Sequence, residues 1–262
     1  MRRTFVVGDI HGDIQALKAL FRKFPRMTAE DTVVFIGDYV DRGPCSRQVV
    51  EFVRMLPTKT KAKVVWLRGN HEDAWLQVKT RGWPEFIVPR GNGCLETYRS
   101  FKGLSVPHEE ETPANQELVE MFAASFFPDD VIEWMKQLPL YYEDEHAIYV
   151  HAGLPRIGTK EADRGFAHPS VAEPSSALLW IRDKDFFANY RGKLVVFGHT
   201  TTEQLPPELS SYTPEDPTDL WAGPAVVGLD TGAGKGGFLT GLELPARLVY
   251  ESRPSPNPTA TP

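Results

Sequence analysis

The chain has 262 residues, 41% of them hydrophobic and 24% charged, with a formal net charge of −6. That length and balance suit a soluble globular protein with a sizeable core, and the acidic charge argues against a nucleic-acid partner. No apolar run approaches the roughly 20 residues of a membrane helix, and two cysteines, Cys45 and Cys94, are too few for a disulfide framework. No signal-peptide pattern follows Met1-Arg2-Arg3, so the cytoplasm is the expected compartment, with no membrane partner.

Residues 4–8 are β-rich and barely alternate, as a buried parallel strand should. Gly8-Asp9-Ile10-His11-Gly12 follows. In extended backbone Asp9 and His11, two apart, would point the same way and could reach one cation. An Asx turn beside a surface histidine is the plain alternative. Asp13 is placed to cap a helix over 14–24, whose Ile14, Leu17, Leu20, Phe21 and Phe24 form an apolar stripe. Residues 33–36 read as a second strand, followed by Gly37-Asp38-Tyr39-Val40-Asp41-Arg42-Gly43. Asp38 occupies the position that Asp9 holds after the first strand, and its two oxygens could serve two cations at once. Arg42 offers a planar fork for phosphate oxygens, against the alternative of a surface Asp41–Arg42 ion pair. Ser46 would cap the next helix, with Val49, Val50, Phe52, Val53 and Leu56 inward.

Residues 64–67 read as a third strand, leading into Arg68-Gly69-Asn70-His71-Glu72. Asn70 supplies a neutral oxygen ligand, and Arg68 could reach a phosphate. His71, oriented by a carboxylate such as Asp41, could give a proton to a leaving alkoxide. Glu72 falls in the first turn of a helix, where capping could be its whole role. The β-α-β-α-β order predicts a parallel α/β core with right-handed crossovers.

From 90 to 138 helical stretches dominate, broken by Gly91, Gly93, Pro107, Pro113 and Pro128, and the region reads as a helical insertion or cap beside the site. Strands are expected at 140–142 and 147–150 around a hairpin turn, then at 194–197, 225–229, 238–244 and 246–251. A loop over 155–174, a helix over 175–187 and a Pro-rich surface loop over 206–217 fill the intervals. The expected organisation is one domain over 1–253 with a disordered tail at 254–262. His151-Ala152-Gly153 and Gly198-His199-Thr200 stand at the ends of two later strands. A lone histidine more often just satisfies a hydrogen bond, but glycine neighbours and strand-end placement favour ligand roles here. Loops at the ends of neighbouring strands can converge on one site, which a dinuclear metal centre needs.

Together these five motifs, in this order, resemble the phosphoprotein phosphatase family of metallophosphoesterases over roughly residues 5–200, with a continuation through Leu229-Asp230-Thr231-Gly232-Ala233. The segment Leu178-Leu179-Trp180-Ile181-Arg182-Asp183 resembles the bacterial and phage branch. The resemblance implies an α/β calcineurin-like metallophosphoesterase fold, a central β-sandwich flanked by helices. It implies two divalent metal ions, with Mn(II) the usual activator and Fe, Zn or Co as alternatives. Asp9, His11 and Asp38 would hold the first ion; Asp38, Asn70, His151 and His199 the second, with a bridging hydroxide as nucleophile. His71, supported by Asp41, would be the general acid, and Arg42, Arg68 and Arg182 with Asn70 would bind the phosphate. The implied activity is phosphomonoester hydrolysis by a serine/threonine protein phosphatase on a phosphoprotein or phosphopeptide, with phosphotyrosine as a further class. Symmetrical hydrolysis of diadenosine polyphosphates is the alternative use of the same metal core. A scaffold that holds phosphoproteins without turnover is the non-enzyme reading.

Overall fold

Short β-branched runs form β1 (Thr4–Val7), β2 (Thr32–Phe35) and β3 (Lys63–Trp66), joined through α1 (Ile14–Lys23) and α2 (Ser46–Met55). The three strands pair in parallel, Thr4 against Thr32 and Thr32 against Lys63, which is the expected β-α-β-α-β unit. Five helices come next: α3 (Asn70–Arg81), α4 (Pro84–Ile87), α5 (Cys94–Lys102), α6 (Asn115–Phe122) and α7 (Asp129–Gln137). The second half comprises β4 (Tyr141–Glu143), β5 (Ile148–Val150), α8 (Ala177–Trp180), α9 (Lys184–Asn189), β6 (Val195–Phe197), β7 (Trp221–Ala222), β8 (Val226–Gly228), β9 (Thr240–Leu244) and β10 (Leu248–Glu251). This computed structural model describes residues 2–108, 110–158, 165–213 and 215–254. The expected tail from residue 255 on, and the middle of the expected 155–174 loop, lie outside the described residues.

The strands make two mixed sheets, ordered β10-β9-β1-β2-β3 and β4-β5-β6-β8-β7. Side chains alternate across each strand, and the alternation explains the layers. Val6, Val34 and Leu67 from one sheet meet Tyr149, Val196 and Val227 from the other in a buried inter-sheet core. Their neighbours Phe5, Val7, Val33 and Phe35 face the opposite way, onto Leu17 and Leu20 of α1 and Val49 and Val53 of α2. On the far side Ile148, Val150 and Phe197 pack on Leu178 and Phe186. Two packed sheets flanked by helices is the α/β sandwich that the resemblance implies.

Two local expectations fail for identifiable reasons. Cys45, not Ser46, holds the cap position of α2, and the Ser46 hydroxyl instead accepts the Asp41 N–H at 3.0 Å. The helix expected over 175–187 breaks in two, because Ile181 is extended and Asp183 caps a new helix by accepting the Asp185 N–H. That break puts Arg182 in a bend rather than on a helix face. Among the described residues, no helix is long and apolar enough to cross a membrane.

Candidate active site

The C-terminal ends of β1, β2, β3, β5 and β6 lie on one edge of the sandwich, and one motif follows each. Asp9, His11, Asp38, Asn70, His151 and His199 are brought together there, none more than 6% exposed. Asp38 sits at the middle. Its Oδ2 is 3.4 Å from His11 Nε2, its Oδ1 is 3.4 Å from His151 Nε2, and Oδ1 accepts the His71 N–H at 3.1 Å. Asn70 Oδ1 lies 2.9 Å from His151 Nε2 and 2.8 Å from His199 Nδ1. Asp9 Oδ2 accepts the His199 N–H at 2.8 Å.

Among the described residues candidate metal-binding atoms fall into two groupings, Asp9-Asp38-His151 and His11-Asp38-His71, each within 4.8 Å. They share Asp38, yet they separate Asp9 from His11, which the resemblance places on one ion. The extended-backbone argument for that pair fails, because His11 has a left-handed φ of 47°. Asp38, Asp41, Arg42 and His199 are also left-handed, at 53°, 72°, 67° and 64°. Such conformations are strained for residues other than glycine, and here they concentrate at the site.

The donor set fits divalent cations. Burial, reinforced by Asp230 and Asp38, pushes the Asp9 carboxyl well above its usual range, and Asp9 Oδ1 is buried with no hydrogen-bond partner among the described residues. A cation would relieve that uncompensated carboxylate cluster. Burial pushes His11, His151 and His199 down, which keeps their imidazoles in the neutral, ligating form. A set of imidazole, carboxylate and amide donors without thiolate suits Mn, Fe, Zn or Co. Any side chain at Gly198 would collide with Asp9 Oδ1.

His71 differs from the other three. Burial lowers its pKa, but Asp38 and Asp41 outweigh burial and the net shift is upward. Its Nδ1 is 2.7 Å from Asp41 Oδ2, and Trp75 Nε1 donates to both Asp41 oxygens at 2.9 and 3.0 Å. The Asp41 N–H donates to Thr97 Oγ1 at 2.8 Å as well as to Ser46. The helical segment therefore supports the site: Thr97 of α5, fully buried, braces the Asp41 loop. Motif reading missed Trp75 and Thr97. Trp75 stands one helical turn after His71, and that i, i+4 spacing was a usable signal. Thr97 offered none.

Glu72 does more than cap α3. Its Oε2 accepts the Gly69 and Asp38 N–H groups at 3.0 Å each, and its Oε1 accepts those of Tyr39 at 2.9 Å and Val40 at 3.3 Å. This buried carboxylate ties the third motif to the second. Glu72→Gln turns one acceptor into a donor facing backbone donors, and should lower stability by about 2–4 kcal/mol. For a chain of this size each kcal/mol moves the melting temperature by about 2–4 °C. An unchanged thermal melt would show that Glu72 does not hold the loop.

A cleft of about 390 Å³ opens over these groups. Arg42, Arg182 and Lys235 line it, with Trp83, Phe86 and Trp180 as apolar walls. The Trp83 and Trp180 rings are 5.7 Å apart. Arg42 donates to the Gly91 carbonyl, and Arg182 donates to the His199 carbonyl at 3.2 Å. Gly93 lies so close to the Arg42 backbone that a Cβ there would clash, which holds the 90–93 turn against the cleft wall. Arg68 is not brought in: it donates to the Lys136 carbonyl at 2.6 Å and its Nη1 lies 3.7 Å from Asp73. Lys235, absent from the motif reading, enters from the turn after β8, with Nζ 3.2 Å from the buried Asp230.

The model of the calcineurin-like phosphoesterase family matches residues 2–203. This chain belongs to that family. Calcineurin-like phosphoesterases work with a dinuclear divalent-metal centre, and the His/Asp cluster around Asp38 is where this phosphoesterase would hold its ions. The match establishes a metal-dependent hydrolase of phosphoesters, a wider class than the phosphoprotein phosphatases that the motifs resemble. Among curated relatives, the asymmetrical bis(5'-nucleosyl)-tetraphosphatase PrpE of Bacillus mycoides strain KBAB4 is 28% identical, over 97% of this chain and 94% of its own length. A solved structure provisionally described as a diadenosine tetraphosphatase superposes with a TM-score of 0.57 at 21% identity, covering 95% of this chain and 92% of that one. The cold-active protein-tyrosine phosphatase of a Shewanella species superposes with a TM-score of 0.52 at 16% identity, covering 92% and 75%. At those identities the two structures share the fold alone.

Proposed function

We propose that this phosphoesterase hydrolyses dinucleoside polyphosphates. The observation behind this reading is the third cation at the cleft: Lys235 joins Arg42 and Arg182 in a lining that also holds Trp83 and Trp180. One phosphomonoester needs less positive charge than that, whereas a polyphosphate chain presents an anion at every phosphate and a base that can stack on an indole. The relatives named for this substrate class cover nearly the whole chain. Their name specifies asymmetrical scission, so we take that register over the symmetrical one.

We assign Asp9, His11, Asp38, Asn70, His151 and His199 to the metal centre, with Asp38 shared. Bound divalent ions supply Lewis acidity and an activated water. Arg42 and Arg182 neutralise the non-bridging oxygens of the phosphate under attack. His71, held at Nδ1 by Asp41, presents Nε2 to the cleft and protonates the departing oxygen. The tryptophan walls orient the nucleoside and shield the phosphate from bulk water.

The motif set supports a second reading, a serine/threonine protein phosphatase acting on phosphopeptides. A substrate panel with added Mn(II), run beside an EDTA-treated control, separates the two. We expect diadenosine tetraphosphate to be converted to AMP and ATP, with activity lost in EDTA and restored by Mn(II). Two molecules of ADP would move scission to the middle of the chain. A large preference for a phosphoserine peptide would overturn the dinucleotide reading.

A further inference from the structure

Lys235 stands between two cavities. One is the cleft over the metal-site residues; the other, about 590 Å³, shares Lys235 and Thr201 with it and runs under the 232–237 turn. Thr202, Thr218, Asp230, Phe238 and Arg253 complete its lining. None of the six residues assigned to the metal centre borders this second space, so it is not a lobe of that centre. It is larger than the cleft, and the lysine and threonine border both.

Its chemistry differs from that of the cleft. Among the described residues Arg253 is its one arginine, and the guanidinium edges are engaged: Nε is 2.8 Å from Glu251 and Nη2 is 3.3 Å from Asp219. With Asp216 also 3.8 Å from Nη1, three carboxylates surround this one charge, against a single one at Lys235, which argues against a second phosphate site. What the guanidinium has left is a face. Its carbon lies over the Phe238 ring, 3.7 Å from the centroid. A guanidinium plane backed by an aromatic ring is a stacking platform for a nucleobase. Thr201, Thr202 and Thr218 line the same space, and hydroxyl side chains suit ribose hydroxyls. Lys235 lines both cavities, its Nζ 3.2 Å from Asp230.

We infer that this second cavity is the subsite for the far nucleoside of the substrate, with the polyphosphate chain crossing from the metal centre at Lys235. The inference rests on the dinucleotide reading above and extends it: the nucleoside at one end lies against Trp83 and Trp180, its counterpart on the Arg253–Phe238 platform. No new bond chemistry is required; the subsite binds the leaving group and holds the chain in one register.

Glu203 is exposed at the rim of the second cavity, so Glu203→Trp fills its mouth with little demand on the core. The readout is kcat/KM for diadenosine tetraphosphate divided by kcat/KM for p-nitrophenyl phosphate, each measured on the same preparation. This ratio cancels losses of folded protein. It should fall about tenfold or more in Glu203→Trp, mainly through KM for the dinucleotide, and stay near wild type in the conservative Glu203→Gln. If the wild type cleaves the dinucleotide but the ratio does not move in Glu203→Trp, the subsite is wrong and the dinucleotide reading stands. If the wild type does not cleave it at all, both fall.

Discussion

His71→Asn should lower turnover of a phosphoserine peptide or alkyl phosphate by about 10²–10⁴-fold, the range that general-acid catalysis contributes. The expected size depends on the leaving group. An alkoxide is a poor leaving group and needs the proton; a nucleoside polyphosphate leaves as a stable anion and needs it less. The same variant should therefore lose much less on diadenosine tetraphosphate than on the alkyl ester. His71 also sits in one of the metal-candidate groupings, with Nε2 4.0 Å from Asp38 Oδ2. Metal content separates the two roles. A proton donor leaves Mn(II) per chain unchanged when removed, whereas a ligand takes metal with it. Turnover equal to wild type on the alkyl ester would refute the acid role. Asp41→Asn should act in the same direction, since Asp41 orients the ring through the 2.7 Å contact at Nδ1.

Asp38→Asn should abolish activity on every substrate, by about three orders of magnitude or more, because Lewis acidity and water activation would depend on the ions that we assign to this carboxylate. Asn is the informative replacement. It tolerates the left-handed φ of 53° at this position, so the loop need not rearrange. Its amide is nearly isosteric and still offers one oxygen to accept the His71 N–H. The variant should then keep its far-ultraviolet circular dichroism and its melting temperature without metal. Activity within tenfold of wild type would show that Asp38 is not the shared ligand.

The outline of this site was legible because parallel strands write themselves as β-branched runs, and loops at their C-terminal ends must meet. Asp9, Asp38, Asn70, His151 and His199 each follow such a run, so their convergence needed only the sheet order. The left-handed backbone at His11, Asp38, Asp41 and His199 was not legible, since nothing in an Asp or His announces a positive φ, and the i, i+2 argument for Asp9 and His11 failed on it. Arg68 illustrates a second limit. Its place beside the third motif suggested phosphate binding, but the Lys136 carbonyl, supplied by α7, captures its guanidinium. Lys235 is the converse: it sits in a glycine-rich turn 35 residues or more from any histidine of the set, and tertiary packing alone brings it to the cleft. Likewise Thr97 has only its hydroxyl and a long-range contact to tie it to Asp41. Local pattern reports what a segment buries on itself; it does not report which distant loop a polar side chain will meet.

The claim on which the mechanism depends is that one aspartate is shared by two cations. Metal analysis of the purified chain tests it most directly: wild type and Asp38→Asn are each loaded with Mn(II), freed of excess, and assayed for bound manganese and folded protein. The account predicts two manganese ions per wild-type chain and none retained by the folded variant. A folded Asp38→Asn protein that still holds one or both ions would contradict it.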